Sequence, residues 1–264
     1  MHALITGATG TVGRALRAHL DTAGHRWTAW DRAAVSIDSY HDMERFVRET
    51  APDVLFHLAI ASRPAGRENE QWLVNYQWPS ELAWITRQLG IPFVFTSSVM
   101  VFASTQNGPF APGDEPLAPD GYGALKRRAE LRVHAQNPQA RIARLGWQIG
   151  DAPGENTMID FLHARMGQDG EVRASTLWYP ACGLLQDTAA ALAALAGLPE
   201  GLYQLDQNRG WSFFQIATAL NEQRGRPWKI VPVEDYSQDQ RMLDPRLALP
   251  SLRERLPGLP ALES

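Results

Sequence analysis

Cysteine and lysine are both scarce in this sequence of 264 residues. Cys182 is the only cysteine, which excludes a disulfide within the chain and a zinc site built from cysteines. The seven histidines show no metal-binding spacing, so we expect no metal site. Of the 25 basic residues, only Lys126 and Lys229 are lysines. Because arginine supplies nearly all of the positive charge, each lysine is a candidate for a specific role.

Long apolar runs and an excess of positive charge are also missing. No window approaches 18 uninterrupted apolar residues, and the first apolar stretch runs directly into glycines, so we expect neither a transmembrane helix nor a signal peptide. The net charge of −4 argues against a nucleic-acid partner. Apolar residues make up 44% of the chain, which is enough for a sizeable core. We expect a globular cytoplasmic protein with no membrane partner.

Short apolar runs alternate with longer amphipathic ones over the first 150 residues. Strands are predicted at 2–6, 26–30, 35–37, 53–58, 92–97 and 140–145. Helices are predicted near 11–23, 40–50, 69–89 and 121–136, with a kink or restart at Pro79. This alternation predicts an α/β fold of Rossmann type, with a doubly wound parallel sheet and helices on both faces.

The alternation weakens after residue 150. We therefore predict a dinucleotide-binding domain over 1–150 and a smaller C-terminal α/β substrate lobe over 151–264. The two are partly interleaved, with residues 184–205 or so returning to the first domain. Helices near 156–167, 185–196, 211–223 and 246–255, and strands at 171–176, 201–205 and 228–232, are predicted in this half.

A glycine-rich turn follows the first predicted strand. Residues 6–13 read TGATGTVG and lead directly into a helix. Glycines let the backbone approach a pyrophosphate, and the helix N-terminus offers free N–H groups and partial positive charge. An ordinary strand-to-helix turn is the alternative. The position after the first strand favours a dinucleotide site, with these candidate residues: Gly7, Thr9, Gly10, Thr11, Val12 and Gly13.

The choice between NAD and NADP depends on the end of the second predicted strand. Asp31 lies there, about 20 residues after the glycines, where a carboxylate can bind the adenosine ribose hydroxyls and favour NAD. Arg32 is adjacent and can instead pair with a 2′-phosphate, which favours NADP. A capping aspartate beside a solvated arginine is a further interpretation. The sequence leaves NAD and NADP open.

Tyr122 and Lys126 lie four residues apart in the predicted helix 121–136, which places phenol and ammonium one turn apart on one face. A tyrosine with an ordinary pKa of about 10 is a poor acid–base catalyst at neutral pH. A neighbouring ammonium, a helix N-terminus and an oxidised nicotinamide each stabilise the phenolate, so we expect a lowered pKa for Tyr122. A surface pair without function is the alternative, and the scarcity of lysine argues against it.

Hydroxyl side chains end the strand predicted at 92–97. The sequence there is Thr96-Ser97-Ser98, at the sheet edge where ligands of such folds bind. A hydroxyl in that position can hydrogen-bond a substrate carbonyl oxygen. His57 ends another predicted strand, and we interpret it as packing beneath the cofactor rather than as a base.

These motifs together resemble the extended short-chain dehydrogenase/reductases. The resemblance rests on TGATGTVG at 6–13, DVLFHLA at 53–59, TSSVMVF at 96–102 and YGALK at 122–126. Looser similarity at 144–150, 155–161, 201–206 and 242–247 favours the dTDP-4-dehydrorhamnose reductase branch, whose members modify sugar nucleotides.

The resemblance implies roles for individual residues. Ser98 would orient a carbonyl, Tyr122 would be the general acid/base, and Lys126 would lower the Tyr122 pKa and hold the nicotinamide ribose. Further candidates for the cofactor site are Ile37, Leu58, Ala59, Thr96 and Asn75, the last in a structural or cofactor-side role. Candidates for the substrate site are Val99, Met100, Trp147, Asn156, Tyr179 and Arg241, with Arg144 and Arg241 as candidates for contact with an anionic substrate.

The pair Val99-Met100 stands where that branch usually has Asp-Tyr, and an apolar pair would suit a less polar carbonyl compound. We expect an oxidoreductase that uses NAD or NADP to transfer hydride to or from a carbonyl or alcohol carbon, on a sugar or sugar nucleotide. The alternatives are an epimerase with tightly bound NAD and a catalytically silent, cofactor-binding regulatory subunit. A homodimer formed through helices 69–89 and 121–136 is implied by the resemblance alone.

Overall fold

The computed structural model describes residues 1–61, 67–151 and 156–262. The chain divides into two compact units, each built from three segments. Unit 1 comprises Met1–Ala103, Glu115–Arg144 and Thr188–Tyr203, and unit 2 comprises Ser104–Asp114, Leu145–Asp187 and Gln204–Ser264.

The strands of the described residues are β1 (His2–Thr6), β2 (Arg26–Ala29), β3 (Val54–His57), β4 (Phe93–Ser98), β5 (Arg141–Leu145), β6 (Trp147–Ile149), β7 (Val172–Tyr179), β8 (Cys182–Leu184), β9 (Gly201–Leu205) and β10 (Ile230–Asp239). The α-helices are α1 (Thr11–Thr22), α2 (Tyr40–Thr50), α3 (Glu70–Trp72), α4 (Trp78–Leu89), α5 (Gly121–Gln136), α6 (Met158–Asp169), α7 (Leu185–Leu195), α8 (Phe213–Gln223) and α9 (Leu252–Arg255). None of these helices is long and apolar enough to cross a membrane.

The main sheet has six strands in the order β2-β1-β3-β4-β5-β9. Strand β1 pairs in parallel with both β2 and β3, and β3 pairs in parallel with β4. The chain therefore winds outward from β1 in both directions, and the predicted doubly wound α/β fold with helices on both faces is confirmed. The carboxyl ends of β1, β3 and β4 meet at one edge, where such folds bind ligands.

The core of unit 1 explains why its central strands are apolar throughout. Every residue of β3 is buried, and so are the first five residues of β4. Parallel strands covered on both faces need apolar side chains on both sides, so they lose the alternation of a half-exposed sheet. Phe93 and Phe95 belong to one buried cluster with Leu4, Leu55 and Trp78.

The strand predicted at 35–37 is wrong, because these residues form turns. Ile37 is only 2% exposed and packs into the buried cluster of unit 1. The indole Nε1 of Trp30 donates to the carbonyl oxygen of Val35 at 3.1 Å. The segment carries apolar residues because Ile37 packs into the core. Residues in a turn can be buried as well as residues in a strand, so the apolar pattern did not distinguish the two.

The helix predicted over 69–89 changes geometry before Pro79. Leu73–Gln77 forms a π-helical turn between α3 and α4. Proline has no N–H to donate to the carbonyl of Asn75, so the backbone widens there instead of continuing as a regular helix. The buried Asn75 side chain accepts from Ala61 N and donates to Ala61 O, both at 3.0 Å, which fastens the turn to the segment after β3.

Unit 2 contains two small parallel pairs, β7 with β10 and β6 with β8. Helices α6 and α8 contribute Leu162, Phe213 and Leu220 to its buried cluster. Strand β10 is longer than predicted, and the final helix is shorter because it begins only after Pro250. The strands β6 and β8 were not predicted, since three residues are too few to show the alternation of apolar and polar side chains that is typical of a strand.

Replacing Asn75 with alanine should lower the free energy of unfolding by about 1–3 kcal/mol, because it leaves two buried backbone groups of Ala61 without partners. Urea unfolding followed by circular dichroism measures this. Gln77→Ala is the matched control, since Gln77 is exposed on the same turn and its side chain donates to the side chain of Glu81. Equal stability of the two variants would contradict the structural role of Asn75.

Candidate active site

The turn between β1 and α1 is packed as closely as a backbone allows. Gly7 has a φ of +68°, and a Cβ there would lie 2.7 Å from the Ala59 nitrogen. A Cβ on Gly13 would lie 2.1 Å from the Gly7 carbonyl oxygen. Both positions therefore require glycine. Gly7 is required for its backbone conformation and for the close contact, and Gly13 for the close contact alone. The turn brings the free N–H groups at the start of α1 to the sheet edge.

Thr6 joins this turn to the end of β3. Its Oγ1 lies 3.2 Å from Leu58 N and 3.3 Å from Ala59 N, both donors, and 3.0 Å from His57 Nδ1. His57 is fully buried, and burial, with the nearby Lys126 charge, lowers its pKa well below the ordinary value. A neutral, enclosed imidazole supports the interpretation of His57 as a packing residue.

Helix α5 begins directly against the turn that follows β4, a 3₁₀ turn over Val99–Val101. A Cβ on Gly123 would lie 2.0 Å from the Met100 carbonyl oxygen, so only glycine permits this approach. Ser98 caps the same turn by accepting from Met100 N at 3.2 Å. The segments that carry Ser98 and Tyr122 are therefore in contact at this point.

Lys126 is 1% exposed, one turn after Tyr122 on α5. Its Nζ lies 4.5 Å from the centroid of the Phe95 ring and 5.9 Å from that of Tyr122. Within the described ranges no residue hydrogen-bonds this Nζ. Burial lowers the pKa of Lys126 to about 7, opposed by the attraction of Glu130. A buried ammonium without an acceptor fits a ligand that brings hydroxyl groups to it.

Burial raises the pKa of Tyr122 well above its ordinary value. The expected lowering of the Tyr122 pKa is thus wrong for the protein alone, because burial removes the phenolate from water. The phenol is protonated at neutral pH. In this form it can donate a proton but cannot accept one.

The other cofactor candidates of unit 1 fall into two groups. Thr96 donates its hydroxyl to His57 O at 3.1 Å, and Ile37 and Asn75 are buried, so these side chains support the site from within. Asp31 and Arg32 are exposed at the end of β2. Asp31 accepts from Ala33 N at 2.9 Å, and Arg32 pairs with Glu70 at 2.8 Å.

The candidates for the substrate site are distributed over both units. In unit 1, Val99 is 8% exposed and Met100 is 55% exposed, so Met100 is the apolar side chain of the pair that a ligand can reach. In unit 2, Asn156 is exposed with a φ of +55°, and Trp147 stacks on Trp178 at 5.9 Å between ring centroids.

The structure brings Tyr179 and Arg241 of unit 2 together, with the guanidinium carbon 5.4 Å from the ring centroid. Asp239 accepts from Arg241 Nε and Nη2. The charge of Arg241 is thereby balanced within the chain, which weakens the case for an anionic substrate there. No cluster of three or more potential metal-ligating side chains occurs among residues 1–61, 67–151 and 156–262. Glu155, the first residue of the similar stretch 155–161, lies outside these ranges.

Sequence reasoning missed a buried ion pair behind this site. Arg144, considered as a contact for an anionic substrate, instead binds Glu130 through Nε at 3.0 Å and Nη2 at 2.8 Å. The signal for Glu130 was available, since it follows Lys126 by one helical turn. The signal for its partner was not, because the many arginines of this chain look alike in sequence.

The doubly wound sheet, the glycine turn and the Tyr122–Lys126 pair beside a strand-end serine define an extended short-chain dehydrogenase/reductase. Residues 1–248 match the model of the family described as RmlD substrate binding domain. The chain belongs to this family.

Known relatives of this family cover most of the chain. It is 28% identical over 260 residues to dTDP-4-dehydrorhamnose reductase of Streptomyces griseus, with 93% of this chain and 84% of the relative covered. It is 26% identical over 240 residues to the spore coat polysaccharide biosynthesis protein SpsK of Bacillus subtilis, covering 88% and 83%. The fold is similar to that of dTDP-4-dehydrorhamnose reductase of Bacillus anthracis in complex with NADP, at a TM-score of 0.82, 18% identity and 97% coverage of both chains.

Replacing Lys126 with methionine should stabilise the protein at pH 7. An ordinary lysine has a pKa of about 10.4, whereas burial lowers that of Lys126 to about 7, so between these values the unfolded chain binds the additional proton. The stability contributed by this group therefore rises with pH, by at most about 1.4 kcal/mol per unit.

The stabilisation by Lys126→Met should be largest below pH 7 and should disappear near pH 10. Urea unfolding at several pH values measures it. Lys229→Met is the control, because Lys229 is exposed and pairs with Glu171 at 2.8 Å. A Lys126→Met variant that is less stable at every pH would show that the ammonium is well paired in the folded protein.

Proposed function

We propose that this protein is an NAD(P)-dependent oxidoreductase that reduces a carbonyl carbon of a sugar or sugar nucleotide. The observation that carries the proposal is the buried Lys126 ammonium, which lacks an acceptor among the described residues one turn from Tyr122. The family and the reductases among its relatives supply the substrate class. A structural neighbour that binds NADP supports the cofactor class.

The residues of unit 1 fit a dinucleotide at two points. The glycine turn leaves no room for side chains beside the start of α1, where N–H groups would hold the pyrophosphate of the cofactor. Lys126, whose Nζ bonds none of the described residues, would offer its N–H donors to the ribose hydroxyls next to the nicotinamide. When bound in reduced form, the cofactor supplies the hydride.

Cofactor choice is decided at the end of β2. Asp31 is exposed and available to ribose hydroxyls, which favours NAD. A 2′-phosphate would have to compete with Glu70 for Arg32 and would meet the Asp31 charge. NAD and NADP would occupy the same site. Titration of the protein fluorescence with NADH and with NADPH shows which of the two binds more tightly.

Three side chains perform the proton chemistry of the proposed reduction. Ser98 hydrogen-bonds the carbonyl oxygen and orients it. Tyr122 is protonated at neutral pH because burial raises its pKa, so it donates its proton to the oxygen as negative charge develops. Lys126 holds the ribose and stabilises the phenolate that remains. The protonated phenol is the form that reduction requires.

The substrate contacts at this site are less polar than usual for the branch. Met100, 55% exposed, lies two residues after Ser98, where the resemblance places a tyrosine after an aspartate. We infer a substrate with an apolar group near the reacting carbonyl, such as a deoxysugar. We assign cofactor binding and the Met100 contact with the substrate to unit 1, and further substrate recognition to unit 2. A homodimer acting in the cytoplasm is proposed on the resemblance alone.

Tyr122→Phe should fold and bind cofactor but lose nearly all turnover, a factor of at least about 10² in kcat, because the proton donor is absent. Oxidation of NADH or NADPH, followed at 340 nm with a panel of keto sugars and sugar nucleotides, measures this. Tyr40→Phe is the control, since Tyr40 begins α2 and lines a cavity with Glu81, Trp84 and Gln136, none of them a candidate site residue.

Undiminished turnover of Tyr122→Phe would overturn the assignment of the acid. Substrate isomerisation by protein that purifies with bound NAD, without net oxidation, would favour an epimerase. Cofactor binding without turnover of any carbonyl compound, together with a copurifying enzyme, would favour a regulatory subunit.

A further inference from the structure

Three charged side chains, Lys126, Glu130 and Arg144, are buried together in unit 1. Lys126 and Glu130 lie one turn apart on α5, and Arg144 on β5 faces Glu130. The side chains of Arg144 and Glu130 are 3% and 6% exposed. Water does not screen the interactions between charges buried in this way. Each ion pair is therefore strong, and the loss of one partner leaves a costly unpaired charge.

Glu130 has both of its oxygens engaged by Arg144. Nε donates to Oε1 at 3.0 Å and Nη2 donates to Oε2 at 2.8 Å. This two-point geometry is available to arginine and not to lysine. Lys126 is one turn from the same carboxylate and would otherwise be its helical partner, yet its Nζ bonds none of the described residues.

The guanidinium of Arg144 also contacts the segment that carries Ser98. Its central carbon lies 4.9 Å from the centroid of the Phe102 ring. Phe102 ends the 3₁₀ turn that Ser98 begins. Arg144 thus touches the helix of Tyr122 and Lys126 through Glu130, and the segment of Ser98 through Phe102.

We propose that Arg144 is a positioning residue, which binds the Glu130 carboxylate so that the Lys126 ammonium stays free for the cofactor ribose. The proposal rests on the proposed function, because the ribose is the ligand for which the ammonium is kept. Without Arg144, Glu130 becomes the acceptor for Lys126 and competes with the cofactor for it.

The charges give the two single variants opposite effects on Lys126. Arg144→Met removes a positive charge and leaves Glu130 unpaired, so the pKa of Lys126 should rise by about one unit. Glu130→Gln removes the negative charge and leaves Arg144, so the pKa of Lys126 should fall by about one unit. The double variant replaces an ion pair of zero net charge with two uncharged side chains, Met and Gln, so its Lys126 should titrate close to the native one.

The ligand-free protein allows a direct measurement, because the sequence has only two lysines. With ¹³C-labelled lysine, the ε-carbon signals of Lys126 and the exposed Lys229 can each be followed against pH. Lys229 is the internal reference and should be unaffected by the variants. A general loss of structure would move both signals toward those of free lysine, whereas the proposed effect moves only Lys126 and with opposite signs.

Cofactor affinity provides the second measurement. Arg144→Met should bind NADH or NADPH about tenfold more weakly at pH 7, and the double variant should recover most of that loss. Circular dichroism shows whether Arg144→Met folds. If it does not, Glu130→Gln still tests the predicted fall of the Lys126 pKa, and the double variant tests its predicted return to the native value.

Identical titration of Lys126 in the native protein and in Glu130→Gln, or unchanged cofactor affinity in a folded Arg144→Met, would overturn the positioning role. Failure of the native protein to bind either dinucleotide would instead overturn the proposed function. The two failures are distinguishable because the lysine titration uses no cofactor.

Discussion

The chain keeps an ammonium group inside the protein without an acceptor among its described residues. Lys126 is 1% exposed, and burial lowers its pKa to about 7. Such a group works against folding at neutral pH, so the surrounding structure must offset the cost. The offset comes from the large buried cluster of unit 1, and the aromatic rings of Phe95 and Tyr122 provide weaker direct stabilisation. A site held in this state is prepared for a ligand at the expense of stability.

Close backbone packing is the second constraint on the site. Gly7, Gly13 and Gly123 each occupy a position where a Cβ would come within 3 Å of backbone atoms of another segment. Gly7 brings the turn after β1 against the segment that follows β3, and Gly13 brings α1 against that turn. The third brings α5 against the turn after β4. Together they gather the glycine turn, Ser98 and Tyr122 at the carboxyl edge of one sheet, so reactive groups from distant parts of the sequence share one location.

The motifs that carry the family resemblance differ from the positions where this chain departs from it. The sheet, the glycine turn and the Tyr122–Lys126 pair carry the resemblance. Met100 is a departure, exposed where the resemblance places a more polar pair. In the proposed function, proton transfer depends on the Tyr122–Lys126 pair, whereas the choice of substrate depends on the side chains around it.

Local patterns in the sequence were sufficient for much of this account. The alternation of apolar runs predicted the sheet and the helices of unit 1, because periodicity reports burial within a few residues. The spacing of Tyr122 and Lys126 predicted a shared helical face, and the glycines after β1 predicted a tight turn. Exceptions were short or interrupted segments, such as the turn that contains Ile37 and the widened helix before Pro79.

The sequence by itself determined the fold class, the glycine turn and the pairing of phenol with amine, since each depends on neighbours within one turn or one strand. Only the tertiary structure decided the direction of the Tyr122 pKa shift, because burial depends on segments far away in the chain. It also decided that Arg144 binds Glu130 and not an anionic ligand. The sequence contains 23 arginines. Packing between distant segments decides which of them pairs with a buried carboxylate, and no local sequence pattern predicts that choice.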